Sequence, residues 1–210
     1  MIGVLGGTFD PIHYGHLRTA LDVQQALGLD ELRFIPLANA VHRDQPEVPA
    51  ALRLTMLEAA IAGELGFVAD DRELQRGGRS YTLDTLLSLR GELGDELPIC
   101  LLLGSDAFNG FLSWHLPELV AELAHLVVMT RPGQALPEDP ALQAFLSSRL
   151  VDEPEALRRS PGGTVIRLPV TQLEISSTGI RHLIGAGESP RFLLPDEVLR
   201  LIERHQIYRN

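Results

Sequence analysis

Short apolar runs alternate along this chain with longer stretches in which apolar residues recur every third or fourth position. The first run, Met1 to Leu5, predicts a buried strand ended by Gly6-Gly7, and Asp10-Pro11 marks a turn in the loop that follows. From His16 to Leu27 the residues Leu17, Ala20, Leu21, Val23 and Leu27 fall at helical spacing, with Gly28 as the stop. Further strands are expected at Leu32 to Pro36, Phe67 to Ala69, Ile99 to Leu103, Leu126 to Thr130 and Thr164 to Leu168. Helices are expected at Ala50 to Ala62, Thr82 to Leu89, Ser176 to Ile184 and Asp196 to Arg204, with Ser176 or Ser177 and Asp196 as N-caps of the last two. Between Pro132 and Gly163 the chain is rich in Pro, Ser, Gly and charge, which predicts an irregular excursion around one short helix.

Strands alternating with helices predict an α/β fold: a doubly wound, mainly parallel sheet with helices on both faces and a small helical C-terminal part. At 210 residues the whole chain, 1–210, is expected to form a single domain around one core. Ligands of open parallel sheets sit beyond the carboxyl ends of the strands. Gly6-Gly7 and Gly104-Ser105-Asp106 both follow strand ends, so the pattern places them along one rim.

Composition narrows the partners. A net charge of −10 argues against a nucleic-acid surface, which needs clustered Lys and Arg to displace counterions, so any phosphate site has to be local. No apolar run approaches the roughly 20 residues of a membrane helix, and Ile2-Gly3-Val4-Leu5 opens the chain without the flanks of a secretory signal. The one cysteine, Cys100, lies inside an apolar run and reads as a small buried hydrophobe. A cytoplasmic location without membrane contact is expected. No heptad seam speaks for or against a homo-oligomer.

The candidate chemistry begins in the first loop, Gly6-Gly7-Thr8-Phe9-Asp10-Pro11-Ile12-His13-Tyr14-Gly15-His16. Glycines let backbone N–H groups approach a phosphate, and Thr8 adds a hydroxyl. His13 and His16, three apart at the opening turn of a helix, face one side where the helix tip itself favours anions. Gly15 is expected to leave room for a base or ribose against the backbone. A metal reading of the pair lacks further ligands nearby, and a dinucleotide reading lacks the G-x-G-x-x-G spacing. Downstream, Ser176, Ser177 and Thr178 present hydroxyls and backbone donors at another helix tip, and Arg181 follows one turn on, able to fork onto phosphate oxygens. Asn39, His42 and Arg43 lie in a Pro-flanked loop after the second strand, which suits a segment that closes over a ligand.

The loop with its His-x-Gly-His core resembles the signature of nucleotidyltransferases that share a motif with class I aminoacyl-tRNA synthetases. Within them the chain is similar, over nearly its whole length, to the nicotinate mononucleotide adenylyltransferases. Ile175-Ser176-Ser177-Thr178-Gly179-Ile180-Arg181 resembles that family's Ile-Ser-Ser-Thr-x-x-Arg motif, and Gly104-Ser105-Asp106-Ala107-Phe108 its Gly-x-Asp element. The resemblance implies a Rossmann-like nucleotidyltransferase fold and adenylyl transfer from ATP to nicotinate mononucleotide, giving the dinucleotide precursor of NAD and pyrophosphate. It implies that Gly6, Gly7, Thr8, Phe9, Gly104, Asp106, Ser176, Ser177 and Thr178 hold ATP, with Asp106 on the ribose. It implies catalytic roles for His13, His16 and Arg181. On the acceptor side it implies Asn39, His42 and Arg43 at the phosphate, Tyr81 and Thr82 beside the nicotinate group, and Trp114 stacked on its ring. Two positions depart from the usual pattern: Ala40-Val41-His42-Arg43 stands where relatives carry a Pro-Pro-His-Lys type of run, and His115 replaces a second aromatic residue beside Trp114. Mg²⁺ is expected to bridge the ATP phosphates, with no protein metal ligand. A phosphopantetheine acceptor fits less well, because such chains are typically shorter and usually read Thr-x-Gly-His, and a regulatory nucleotide binder would have little use for the histidine clamp.

Overall fold

The computed structural model describes residues 1–38, 46–79 and 81–209. Its strands are β1 (Ile2–Gly7), β2 (Glu31–Pro36), β3 (Phe67–Ala69), β4 (Ile99–Gly104), β5 (His125–Thr130), β6 (Leu150–Val151) and β7 (Val165–Pro169). They form a seven-stranded sheet in the order β3-β2-β1-β4-β5-β7-β6. The pairs β1 with β4, β4 with β5, β5 with β7 and β6 with β7 are parallel, with Ile2 opposite Ile99 and Leu101 opposite Leu126. The order reverses between β1 and β4, as the doubly wound expectation requires. The helices are α1 (Tyr14–Leu27), α2 (Ala50–Ile61), α3 (Arg72–Arg76), α4 (Thr82–Leu93), α5 (Ser105–Asn109), α6 (Pro117–Leu123), α7 (Pro140–Ser147), α8 (Ser177–Gly185) and α9 (Asp196–His205). None is long and apolar enough to cross a membrane among the described residues.

The residues sort into two compact units. The first takes Met1–Leu5, Asp22–Leu32 and Tyr81–Thr171. Its β4 and β5 are unbroken apolar runs, Ile99 to Leu103 and Leu126 to Met129, buried throughout as parallel strands covered on both faces must be. Cys100 is fully buried there, and burial pushes its thiol up to about 12, so it packs and does not react. Phe108, Phe111 and Phe145 continue the core, with ring centroids 6.1 and 5.5 Å apart along that chain. Arg90 of α4 is buried among carbonyls: it donates to Leu97 O at 2.6 Å, Leu123 O at 2.6 Å and Pro161 O at 2.9 Å. One guanidinium thus ties the loops that lead into β4, β5 and β7.

The second unit takes Gly6–Leu21, Arg33–Ser80 and Gln172–Asn210. Helix α2 packs on α9; the buried apolar residues are Met56, Leu57 and Ile61 in the first and Val198, Leu199 and Ile202 in the second. A line of rings, Phe9, Phe34 and Phe67, runs through it with centroids 6.0 and 4.9 Å apart.

Several boundaries differ from the sequence reading. Strand β1 does not stop at Leu5 but carries Gly6 and Gly7, because Leu37 N bonds Gly7 O and keeps the glycines in extended pairing. Ser176, not Ser177, caps α8, its hydroxyl accepting from Gly179 N at 3.0 Å. Asp196 is not a cap either: Pro195 stands there, and Asp196 opens α9 as a carboxylate facing the helix dipole. The 132–163 excursion holds α7, the edge strand β6 and a 3₁₀ turn at Pro154–Arg158. The short helices α3, α5 and α6 were not anticipated; each is under three turns and shows no apolar periodicity.

Replacing Arg90 by Leu leaves several buried carbonyls without a charged donor. Urea denaturation is expected to show a loss of about 3 kcal/mol or more at unchanged m-value. A loss within the scatter of surface substitutions would mean that water replaces the guanidinium at no cost.

Candidate active site

The first loop is built around a buried acid. Asp10 is 3% exposed, and its carboxylate takes the Tyr208 hydroxyl at 2.6 Å and the Glu47 N–H at 2.8 Å. Burial, and the bond to Asp10, push the Tyr208 phenol well above its usual range, so the tyrosine stays a donor. Arg53, fully buried in α2, reaches Thr8 O and Leu37 O at 2.6 Å each and Val48 O at 3.2 Å. Arg181 of α8 donates from Nη1 to Asp10 O at 2.9 Å and from Nε to Glu47 Oε1 at 2.6 Å. Ser177 donates to Pro11 O at 2.9 Å. The backbone from Thr8 to Pro11 is therefore held at three of its carbonyls, those of Thr8, Asp10 and Pro11, by two arginines and a serine.

This frame sets the histidines. His13 stands immediately before α1, its carbonyl accepting from His16 N and Leu17 N and its Nδ1 from Gly15 N at 3.1 Å. Because Nδ1 accepts a backbone N–H, the proton of the neutral ring sits on Nε2. His13 and His16 stack with centroids 3.8 Å apart at 27°, and Phe9, itself buried, meets His16 edge-on at 5.3 Å. His16 Nδ1 is buried and has no hydrogen-bond partner among the described residues. Burial lowers His13 to about 4; burial and then the His13 charge lower His16 to about 3. At neutral pH both rings are uncharged.

Gly15 corrects one expectation. A Cβ there would meet the His13 ring at 2.9 Å and Ile175 O at 3.4 Å, so the glycine makes room for His13 itself. Around Gly6, by contrast, a Cβ would meet nothing within 4 Å, which leaves its backbone open to a ligand. Of the other expected ATP contacts in this unit, Thr8 is half-buried and Thr178 exposed, while the Ser176 hydroxyl accepts at the α8 cap and keeps its proton to give.

In the first unit, Gly104 ends β4 and Asp106 stands exposed in the first turn of α5. Tyr81 precedes α4 and Thr82 opens it, both half-buried. Trp114 is half-buried, its ring 5.5 Å from Phe111, so one face packs and the remainder is accessible. His115, the departure noted in the sequence, places its ring 4.8 Å from Tyr81 and so joins the expected acceptor residues. Asn39, His42 and Arg43 lie outside the described residues. Sequence reasoning missed Asp10, Arg53 and Tyr208. Arg53, a lone cation amid Ala50, Ala51, Leu52 and Leu54, was a detectable signal; Tyr208 carried none.

The lowered histidines have a stability signature. The unfolded chain takes up protons on both near 6.5, whereas the fold keeps them off until about 4 and about 3, so the ligand-free protein loses stability as pH falls from 6.5 towards 4. Each contributes a slope approaching about 1.4 kcal/mol per pH unit. His13→Asn keeps an acceptor for the Gly15 N–H and should flatten the pH dependence of urea unfolding by one proton; parallel slopes would mean that His13 is not held neutral.

The Cytidylyltransferase-like family matches residues 4–183. A Methylococcus capsulatus protein named probable nicotinate-nucleotide adenylyltransferase is 48% identical over 99% of this chain and 99% of its own. A Pseudomonas syringae protein of the same name is 49% identical over 99% of this chain and 93% of its own. Among solved structures, the Plasmodium falciparum nicotinic acid mononucleotide adenylyltransferase complexed with NaAD shares the fold at 15% identity, with TM-score 0.73 over 99% of this chain and 96% of that one. With these likenesses covering its length and its loop of stacked histidines, the chain belongs to the nicotinate-nucleotide adenylyltransferase family.

Proposed function

We propose that this enzyme joins ATP to nicotinate mononucleotide, with His13, His16 and Arg181 holding the reacting phosphates. The observation that carries the reading is the stacked, uncharged histidine pair at the tip of α1, on the same loop that Arg181 grips through Asp10 O. In the reaction an acceptor phosphate oxygen attacks the α-phosphorus of ATP in line. The new O–P bond forms as the bond to the β-phosphate oxygen breaks, and pyrophosphate leaves. A phosphate monoester has its second pKa near ~6, so the nucleophile is already ionised at neutral pH and needs no protein base. Catalysis then rests on aligning two anions and meeting charge on the transferring and leaving oxygens.

Neutral imidazoles suit that work. His13 offers Nε2–H as a donor without charge in the empty site, and a triphosphate placed against the pair raises both pKa values, because a nearby negative charge favours the imidazolium. Positive charge therefore arrives with the substrate. Gly6, Gly7, Thr8, Ser176, Ser177 and Thr178 supply donors to the same nucleotide, and Phe9 backs His16. Asp106 with Gly104 takes the ribose, while Tyr81, Thr82 and Trp114 take the nicotinate ring, and Asn39, His42 and Arg43 the acceptor phosphate. Mg²⁺ would come with ATP and would supply charge neutralisation at its phosphates, and no residue of this chain is assigned to hold it. Both substrates are small soluble nucleotides of the cytoplasm, and neither nucleic acid nor a membrane has a part in the reaction.

Incubation with ATP and either nicotinate or nicotinamide mononucleotide should release pyrophosphate and form dinucleotide from the nicotinate substrate; no pyrophosphate with either acceptor would end this reading. His16→Ala is expected to lower kcat about 100-fold or more while raising the KM for ATP far less. An unchanged turnover would remove His16 from the mechanism. Trp114→Ala should raise the acceptor KM roughly three- to tenfold and spare ATP; the opposite split would assign the indole to the ATP side.

A further inference from the structure

Arg181 already has partners within the chain. Its Nε, one corner of the fork by which arginine grips phosphate or carboxylate, is bonded to Glu47 Oε1 at 2.6 Å. A carboxylate and a phosphate are rival acceptors for that corner. We infer that the Glu47 carboxylate stands in for a phosphate on Arg181, so that triphosphate binding has to displace it. This rests on the adenylyl-transfer reading above and adds to it a residue that sets the enzyme's affinity for ATP.

Exposure decides which partner moves. The Glu47 side chain is 56% exposed and that of Arg181 22%, so the carboxylate passes into water at little desolvation cost. Arg181 stays, because Nη1 remains on Asp10 O at 2.9 Å. The Glu47 backbone stays too, its N–H fixed on Asp10 Oδ2 at 2.8 Å, so release needs only side-chain torsions. The fraction of molecules with Arg181 engaged by Glu47 is unavailable to the nucleotide, and the apparent dissociation constant rises in proportion. Glu47 is a positioning residue: it parks the guanidinium in place and touches no substrate.

The test is calorimetric titration with an ATP analogue bearing a methylene bridge between the α and β phosphates, on the wild type, Glu47→Gln and Glu197→Gln. Glu197 is an exposed acid of the same unit paired with Arg200, so its substitution changes net charge equally without touching Arg181. Glu47→Gln should tighten the analogue about two- to fivefold, the worth of one exposed ion pair. Glu197→Gln should leave the affinity as it was. In turnover Glu47→Gln should lower the KM for ATP without raising kcat, a split that a merely structural role would not produce. Unchanged or weaker binding in Glu47→Gln, or equal tightening in both variants, overturns the inference while leaving adenylyl transfer intact. No binding by the wild type would remove the reading beneath it.

Discussion

A carboxylate with almost no water is costly unless every oxygen is matched, and Asp10 is such a group. Its match comes from two distant stretches of chain, Tyr208 and the Glu47 amide. Its own carbonyl is gripped by Arg181 and that of Thr8, two residues before it, by Arg53. Disturb any of these and the backbone from Thr8 to Pro11 loses its reason to hold its course. The histidines inherit their positions from that course, so the geometry of the loop is set by a polar frame whose buried members, Asp10, Arg53 and Tyr208, have no assigned contact with substrate.

The same frame explains how an acidic molecule can receive a triphosphate. With a net charge of −10 the protein as a whole repels anions. Attraction has to be generated at short range, and on the reading proposed above it comes from helix tips and from imidazoles that take up protons as a phosphate approaches. Histidines already charged would bind any passing anion. Neutral ones answer to a ligand that reaches them closely enough to shift their equilibrium.

The sheet was legible because a parallel strand buried on both faces leaves an unbroken apolar run, as at Ile99 to Leu103 and Leu126 to Met129. Strand β6 was not, since two residues at a sheet edge bury too little to leave a pattern. Helix α8 could be placed to within a residue because Ser176 and Ser177 both carry capping hydroxyls, and only geometry tells which one accepts. The histidine pair, the serines and Arg181 were singled out by local spacing together with the family resemblance. Asp10 read only as half of a turn, since the aspartate before a proline looks the same whether its carboxylate meets water or a buried phenol. Tyr208 was beyond reach for the complementary reason: its partner lies far off in sequence, and a lone tyrosine near a helix end says nothing about where its hydroxyl goes.

Gly15 shows how closely the motif is coupled within itself. The space a side chain would need there is taken by the His13 ring, which turns back to accept the Gly15 amide. A Cβ at 15 would lie 2.9 Å from the imidazole, so the ring that accepts the amide would have to shift. Positions 13 and 15 are therefore coupled: residue 15 has to stay without a side chain while the imidazole lies there, and residue 13 can change alone only to one that still accepts the amide.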